Sequence, residues 1–320
     1  MCCKFQPLDL DSKIRCSSLT ILLPTLPPTS RADALAIASF AEQHAAMYVG
    51  VLDSKQSKLQ KATSDVAAVR QAFPSITDES IIVAMAAWFA LLCNVDDEIE
   101  QLGGGAARDA LRDSMHMLQD STDDSYGRRP SLCDPVSWRV HAFTKAFVRQ
   151  TRPVLAPQTY AGLIDSILTV FAALDLKRAM KDEPSLVDPD VYLRVRCRTV
   201  GLDPFFYLVR TELAVEEPLA RLEAAVSLAV GLQNDIVGLR KDIMEGERFN
   251  FILLRGEGIE RGLRKAVGCH NRSVRLAAQA MDELPGAKED HVLVLGFVAR
   301  HWAWAKCADR YTMSFLSLRK

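Results

Sequence analysis

The chain lacks any pairing pattern among its cysteines: Cys2, Cys3, Cys16, Cys93, Cys133, Cys197, Cys269 and Cys307 are scattered, with no C-x-x-C and no Cys/His cluster at zinc spacing. They read as reduced, mostly structural thiols of a cytoplasmic protein. It also lacks an excess of charge of either sign, since 39 basic and 40 acidic side chains leave a net charge of −1. That removes any general attraction for nucleic acid or an anionic membrane surface, so an anionic ligand has to be held locally. The one early apolar stretch, "LTILLPTLPP", is short, broken by prolines and without a small-residue cleavage site. Neither a signal peptide nor a membrane span is expected. Strand signals are essentially missing, and the absence of a fixed-period repeat excludes a solenoid.

What remains is helical text. The 320 residues are 49% hydrophobic, ample for a sizeable core. Residues 1–29, ending "LPTLPPT", read as an extended or mobile arm, because each proline pushes its predecessor out of helical geometry. From Ser30, a candidate N-cap, alanine and leucine recur at three- and four-residue spacing. The pattern predicts helices over 31–49, 52–73, 78–102, 105–119, 135–151, 157–182, 188–199, 205–213, 216–246, 258–283 and 287–317, with breaks at "GGG", "YGRRP", "RPVLAP", "DEPSLVDPD", "GLDP" and "LPGAKED". The expected architecture is a single all-α domain over residues 30–320.

Two acidic stretches carry chemistry. "NVDDEIEQLGGG", residues 94–105, sets Asp96, Asp97, Glu98 and Glu100 at the end of the apolar run "IIVAMAAWFALLC". Asp96 and Glu100 are four apart and share a helix face, with Asp97 beside them and Leu92, Phe89 and Trp88 further back. Like charges crowded near a helix C-terminus oppose both one another and the macrodipole, which calls for a cation. An all-oxygen donor set suits a hard divalent ion such as Mg²⁺, while an ordinary solvated helix tip is the bland alternative. The second stretch, "LQNDIVGLRKDIMEGE", puts Asn234, Gly238 and Asp242 on one stripe, with Lys241 almost on the same face. Oxygen for a metal and an ammonium for an anion are adjacent there, and a charged surface face is the alternative.

With these residues the chain resembles the class I terpene synthases, in the short microbial form made of the α domain alone, over roughly residues 75–315. "DDEIE" at 96–100 is similar to the aspartate-rich D-D-x-x-D/E motif, and "NDIVGLRKD" at 234–242 to the N-D-x-x-S/T/G-x-x-K-E motif. "YLRVRCRTVG" at 192–201 resembles the R-x-x-T-x-G segment, with Arg196 as diphosphate sensor, Arg194 or Arg198 as alternatives, and Thr199 and Val200 flanking a helix break. "WAKCADRY" matches W-x5-R-Y through Trp304, Arg310 and Tyr311. The chain departs from the pattern in two places. Gly238 stands where the family usually has Ser or Thr, leaving a coordination place that water can fill. Asp242 replaces the usual Glu and is one methylene shorter; Glu245 lies about 60° off the stripe, so Asp242 is the expected ligand.

The resemblance implies the class I terpenoid synthase fold, a helical bundle around a central apolar pocket, and a terpene cyclase that releases diphosphate. Three Mg²⁺ ions would be held by the Asp96, Asp97 and Glu100 group and by Asn234 and Asp242 with the Gly238 position. Arg196, Lys241, Arg310 and Tyr311 would neutralise the diphosphate of an isoprenyl substrate, with farnesyl diphosphate expected and a sesquiterpene as product. Trp88, Phe89, Leu92, Thr199, Val200, Phe297 and Trp304 would line the pocket that contains the carbocation, although an aromatic stripe at helical spacing also reads as plain core. His141, His270, His291 and His301 show no partner pattern, so no histidine base is indicated; the retained diphosphate or an excluded water is expected to take the final proton. The protein is expected as a monomer or homodimer with no nucleic-acid or membrane partner. The competing readings are a chain-elongating isoprenyl diphosphate synthase, which typically carries two D-D-x-x-D motifs, and a non-catalytic helical binding protein.

Overall fold

The computed structural model describes residues 3–7, 19–26, 34–120, 135–183, 187–213, 219–254, 256–284 and 288–307. Among them run β1 (Cys3–Pro7), β2 (Thr20–Pro24), α1 (Ala34–His44), α2 (Lys55–Ala72), α3 (Glu79–Gln101), α4 (Gly104–Gln119), α5 (Pro135–Thr151), α6 (Pro157–Lys181), α7 (Pro189–Thr199), α8 (Asp203–Leu213), α9 (Ala220–Glu245), α10 (Ile259–Glu283) and α11 (Lys288–Cys307). All eleven helices fall on predicted segments. Residues 45–48 of the first segment tighten into a 3₁₀ turn, and the end of the last predicted segment, 308–317, lies outside the described residues. The arm differs from expectation: β1 and β2 pair antiparallel, with Phe5 opposite Leu22. Each strand has only five residues and ends at a proline, and β2 buries four consecutive residues, so no alternation marks it in the sequence.

Helix ends follow their local chemistry. Ser54 and Asp78 accept hydrogen bonds from Ser57 N and Ile81 N at 3.0 Å each, capping α2 and α3. Asp188 caps α7 through Asp190 N at 2.8 Å, with Pro189 at the first helical position. At the other end of α9, Gly246 adopts φ 72° and Glu247 N reaches back to Asp242 O at 2.8 Å, the wrapping bond of a left-handed cap. That cap fixes Asp242 in the last turn of its helix.

By contacts the chain forms two units, each discontinuous in sequence: Met1–Thr29 with Glu183–Val200 and Pro218–Lys320, and Ser30–Asp182 with Gly201–Glu217. In the first, α9 is packed by α7, α10 and α11, and β2 lies on α10 and α11. In the second, α3 is packed by α1, α2, α5 and α8. The helices α3, α6 and α9 are long and apolar enough to cross a membrane by length and composition. The apolar windows of α3 and α9 are 61% and 67% buried within the protein, as the packed helices of a bundle require. The second unit also buries a polar cluster: Asp65, fully buried, receives Tyr48, Lys61 Nζ at 2.9 Å and His44 Nε2 at 3.3 Å. Gln150 Nε2 bonds the other ring nitrogen of His44 at 3.2 Å, so both ring nitrogens of this buried histidine are used within the cluster.

The break between α7 and α8 is built by Gly201, at φ 72°. A Cβ there would lie 2.4 Å from Leu92 Cδ2, and the Gly201 carbonyl accepts the Trp88 indole N–H at 2.9 Å. Gly246 has the same φ but open space around it. Gly201→Ala is therefore expected to cost roughly 2 kcal/mol or more of unfolding free energy and Gly246→Ala only about 1 kcal/mol. Urea denaturation of the two variants checks the ranking, and an equal cost would show that the Leu92 contact yields.

Candidate functional site

The second unit holds the first acidic cluster, at the C-terminal end of α3. Asp96 is partly buried and Asp97 and Glu100 are exposed. Two lysines of α6 meet this cluster: Lys177 Nζ lies 3.1 Å from Asp96 and 3.5 Å from Glu100, and Lys181 Nζ lies 3.2 Å from Glu100. Arg178 donates to the Leu102 carbonyl at 2.5 Å, just beyond the helix. Three cations thus gather where both the carboxylates and the helix dipole place negative charge. Glu98 is not part of the group: it is buried and paired with Arg139 of α5 at 3.1 Å. Behind the acids, Phe89 and Leu92 are half-buried, while Trp88 is fully buried, committed to Gly201 and tilted against Phe171 at 6.4 Å.

The first unit holds the second cluster. Arg196 on α7 pairs with Asp235 on α9 at 2.9 Å and donates through Nε to the Gly231 carbonyl at 3.3 Å. A Cβ at position 231 would sit 3.0 Å from Arg196 Cγ, so the glycine lets α7 close onto α9. Asp235, 3% exposed, also accepts from the Tyr192 hydroxyl at 2.8 Å and from Phe251 N at 3.3 Å. Burial first, and then the Asp235 charge, holds the Tyr192 phenol well above its ordinary pKa, so it stays a donor. Arg194 and Arg198 are exposed, which singles out Arg196 among the three arginines. Thr199 donates to the Arg196 carbonyl at 3.4 Å, and Val200 closes the helix.

Further along α9, Asn234 is half-buried, and Gly238 is buried with no side-chain donor to offer. Asp242 accepts from Asn250 Nδ2 at 2.7 Å, and the same amide nitrogen donates to the Asp235 carbonyl at 2.9 Å. Desolvation raises the Asp242 pKa and the Asn250 hydrogen bond opposes that rise. Lys241 faces Glu245 at 3.6 Å, so Glu245 is turned to its own helix neighbour. On α11, Phe297, His301 and Trp304 share one face, with ring centroids 5.9 and 5.8 Å apart in sequence order. Arg310 and Tyr311 lie outside the described residues.

Among the described residues no three or more His, Cys, Asp or Glu side chains converge as a ready metal cage. The donors on each helix are carboxylate and amide oxygens, which fit a hard cation that keeps most of its waters and completes its shell with phosphate oxygens. They do not fit zinc or another soft metal. Lys177, Lys181, Asp235, Tyr192 and Asn250 were not singled out by sequence reasoning. Asp235 carries a signal, as the second letter of "NDIVGLRKD"; the lysine pairs span 81 residues and carry none.

Asp235→Asn is expected to cost roughly 3 kcal/mol of stability, because it strips the charge partner from a mostly buried arginine. Tyr192→Phe, which removes one neutral hydrogen bond, is expected to cost about 1 kcal/mol. Chemical denaturation measures both, and near-equal values would show that the ion pair is not what holds α7 to α9.

The family model described as terpene synthase family 2, C-terminal metal binding, matches residues 87–263. Linalool/nerolidol synthase from Streptomyces clavuligerus superposes with a TM-score of 0.64 at 17% identity, covering 88% of this chain and 98% of that one. Hedycaryol synthase superposes at 0.62 with 17% identity, covering 89% and 98%, and a point variant of cucumene synthase at 0.59 with 17% identity, covering 91% and 99%. No curated protein matches the sequence.

Proposed function

Because the chain belongs to the terpene synthase family whose metal-binding model spans both acidic motifs, we propose that it ionises an isoprenyl diphosphate with Mg²⁺, farnesyl diphosphate being the expected substrate, and cyclises the cation to a sesquiterpene. The observation that carries this reading is on α9 and α7: Arg196 is held to α9 by Asp235, the neighbour of Asn234 in the sequence, and Asn250 joins the Asp235 carbonyl to the Asp242 carboxylate. Linalool/nerolidol and hedycaryol are named as products of similar structures, and this favours substrates of the C10 to C15 class.

In this mechanism Asp96, Asp97 and Glu100 on α3 would supply oxygens to the divalent cation, as would Asn234 and Asp242 on α9, and solvent would serve where Gly238 offers no side chain. When bound, Mg²⁺ neutralises charge on the leaving diphosphate. Arg196, Lys241, Arg310 and Tyr311 donate to that diphosphate, and Asp235 and the Gly231 carbonyl keep the Arg196 fork from turning away. Asn250 holds one carboxylate oxygen of Asp242 through its amide N–H, which restrains the orientation of that side chain. Phe297 and Trp304 present ring faces that favour a nearby cation.

Incubation of the purified protein with C10, C15 and C20 isoprenyl diphosphates, with Mg²⁺ or EDTA, is expected to give a Mg²⁺-dependent hydrocarbon or alcohol from the C15 substrate by mass spectrometry. A longer diphosphate formed with isopentenyl diphosphate would instead indicate chain elongation, and no diphosphate release by folded protein would indicate a binding protein. Asp96→Asn and Asp242→Asn are each expected to lower release about a hundredfold or more.

The lysines at α3 make a separate expectation, because Lys177 and Lys181 already neutralise the carboxylates a metal would need. Replacing both with Gln should tighten binding of Mn²⁺ alone by roughly tenfold in an electron paramagnetic resonance titration, since two like charges leave the site. Unchanged affinity would mean that the ions bind elsewhere.

A further inference from the structure

On α11, His301 sits between Phe297 and Trp304 on one helix face, and its position in a chain of hydrogen bonds fixes which ring nitrogen carries the proton. At the far end of that chain, the Leu22 N–H can only donate, and it meets Asn271 Oδ1 at 2.7 Å. The Thr20 carbonyl can only accept, and it meets Asn271 Nδ2 at 2.9 Å. The Asn271 amide is thereby oriented, so Oδ1 accepts from His270 Nδ1–H at 3.1 Å, and His270 Nε2 is left as an acceptor. Gln233 Nε2 lies 3.1 Å from it and 3.0 Å from the Val298 carbonyl, another obligate acceptor. Both ends agree that this Gln233 atom is the amide nitrogen. Its Oε1 is then an acceptor, and at 2.8 Å it takes the Nδ1–H of His301.

His301 is therefore held as the Nδ1–H tautomer, with a lone pair on Nε2 that makes no hydrogen bond among the described residues. Burial, together with the charge of Arg196 and the neighbouring His270, pushes its pKa down to about 3, so the ring is neutral at ordinary pH. His270 differs in a decisive way: both its nitrogens are used, and burial pushes its pKa down to about 4. A histidine serving only as a structural bridge would look like His270. His301 instead keeps a basic nitrogen outside the hydrogen-bond chain, on a ring that lies between Phe297 and Trp304 and within electrostatic reach of the arginine proposed to hold the diphosphate.

We propose that His301 is a catalytic residue, the base whose Nε2 takes the proton that ends the carbocation cascade. The proposal rests on the synthase reading above. A C–H bond next to the cationic carbon breaks, its electron pair forms the new C=C bond, and the proton passes to Nε2 to give imidazolium. The imidazolium then returns the proton to the released diphosphate or to solvent. A carbocation is acidic enough at the adjacent carbon to protonate even this weak base, while the depressed pKa keeps the ring unprotonated until then. Gln233 accepts from the Nδ1–H throughout and holds the ring in orientation.

His301→Asn tests this, because its amide nitrogen can replace Nδ1–H toward Gln233 while removing Nε2. Diphosphate release is expected to stay within about threefold of wild type, whereas the share of the main olefin falls by about tenfold or more in favour of other olefins or a water-captured alcohol. The proposal is overturned by an unchanged product distribution, or by a wild type that makes only water-captured alcohol. If the wild type releases no diphosphate from any chain length, the synthase reading itself fails, and that outcome is visible before any variant is compared. A nitrogen-15 histidine spectrum of the wild-type protein gives a check independent of variant folding: the Nδ1–H tautomer is expected at His301, and an Nε2–H tautomer would overturn the assignment.

Discussion

Burying a carboxylate costs free energy unless opposite charge and hydrogen bonds replace the water it has lost, and Asp235, 3% exposed, is given both. One oxygen takes the Arg196 guanidinium, and the other takes the Tyr192 hydroxyl and the Phe251 N–H. These partners come from α7 and the segment after α9, so satisfying a single side chain on α9 ties three pieces of chain together. Gly231 serves the same contact, since a Cβ there would sit 3.0 Å from Arg196 Cγ and the arginine would have to shift to admit it. Asn250 then extends the arrangement from the Asp235 carbonyl to the Asp242 carboxylate. The residues proposed to grip diphosphate and metal are thus oriented by a buried ion pair rather than by their own packing.

At the end of α3 the electrostatic problem has the opposite sign and a different solution. The acidic residues there lie at the unfavourable end of the helix dipole. Lys177, Lys181 and Arg178 supply the opposing positive charge. A metal arriving at Asp96 and Glu100 must displace those ammonium groups or accept their repulsion. Diphosphate relieves the repulsion because it gives the lysines an anion to face. Under the proposed function, metal and diphosphate together would therefore be bound more readily than metal alone.

The helices were legible because their signals are local. Asp78, Ser54 and Pro189 open helices, Gly246 closes one, and the apolar spacing between them has the helical period. The paired carboxylates and the Asn234, Gly238 and Asp242 stripe were legible for the same reason, since spacing of four residues fixes a shared face. The short pairing of β1 with β2 carries little local signal, because each strand has only five residues, and β2 is without alternation and packs on α10 and α11, hundreds of residues away. Glu98 was grouped with its acidic neighbours because sequence proximity hides the direction of a side chain, and its partner Arg139 lies on α5. Lys177 and Lys181 were invisible as site residues: nothing in "LDLKRAMK" says which helix end they will meet.

The histidines show most sharply what spacing leaves out. From the sequence they have no partner pattern, because the partners of His301 and His270 are a glutamine 68 and 37 residues away and an asparagine that itself answers to the Thr20 and Leu22 backbone. Hydrogen-bond direction propagates along such a chain even though no single link is strong: a backbone N–H at one end and backbone carbonyls along it leave each amide and imidazole only one consistent orientation. The hairpin arm, which reads as a peripheral tail, thereby sets the tautomer of an imidazole on α11. Moving that arm would remove the constraint on Asn271 and then on His270, while Gln233, still anchored by the Val298 carbonyl, would go on directing the proton of His301. The tautomer is held from two sides, and either alone is enough to present Nε2.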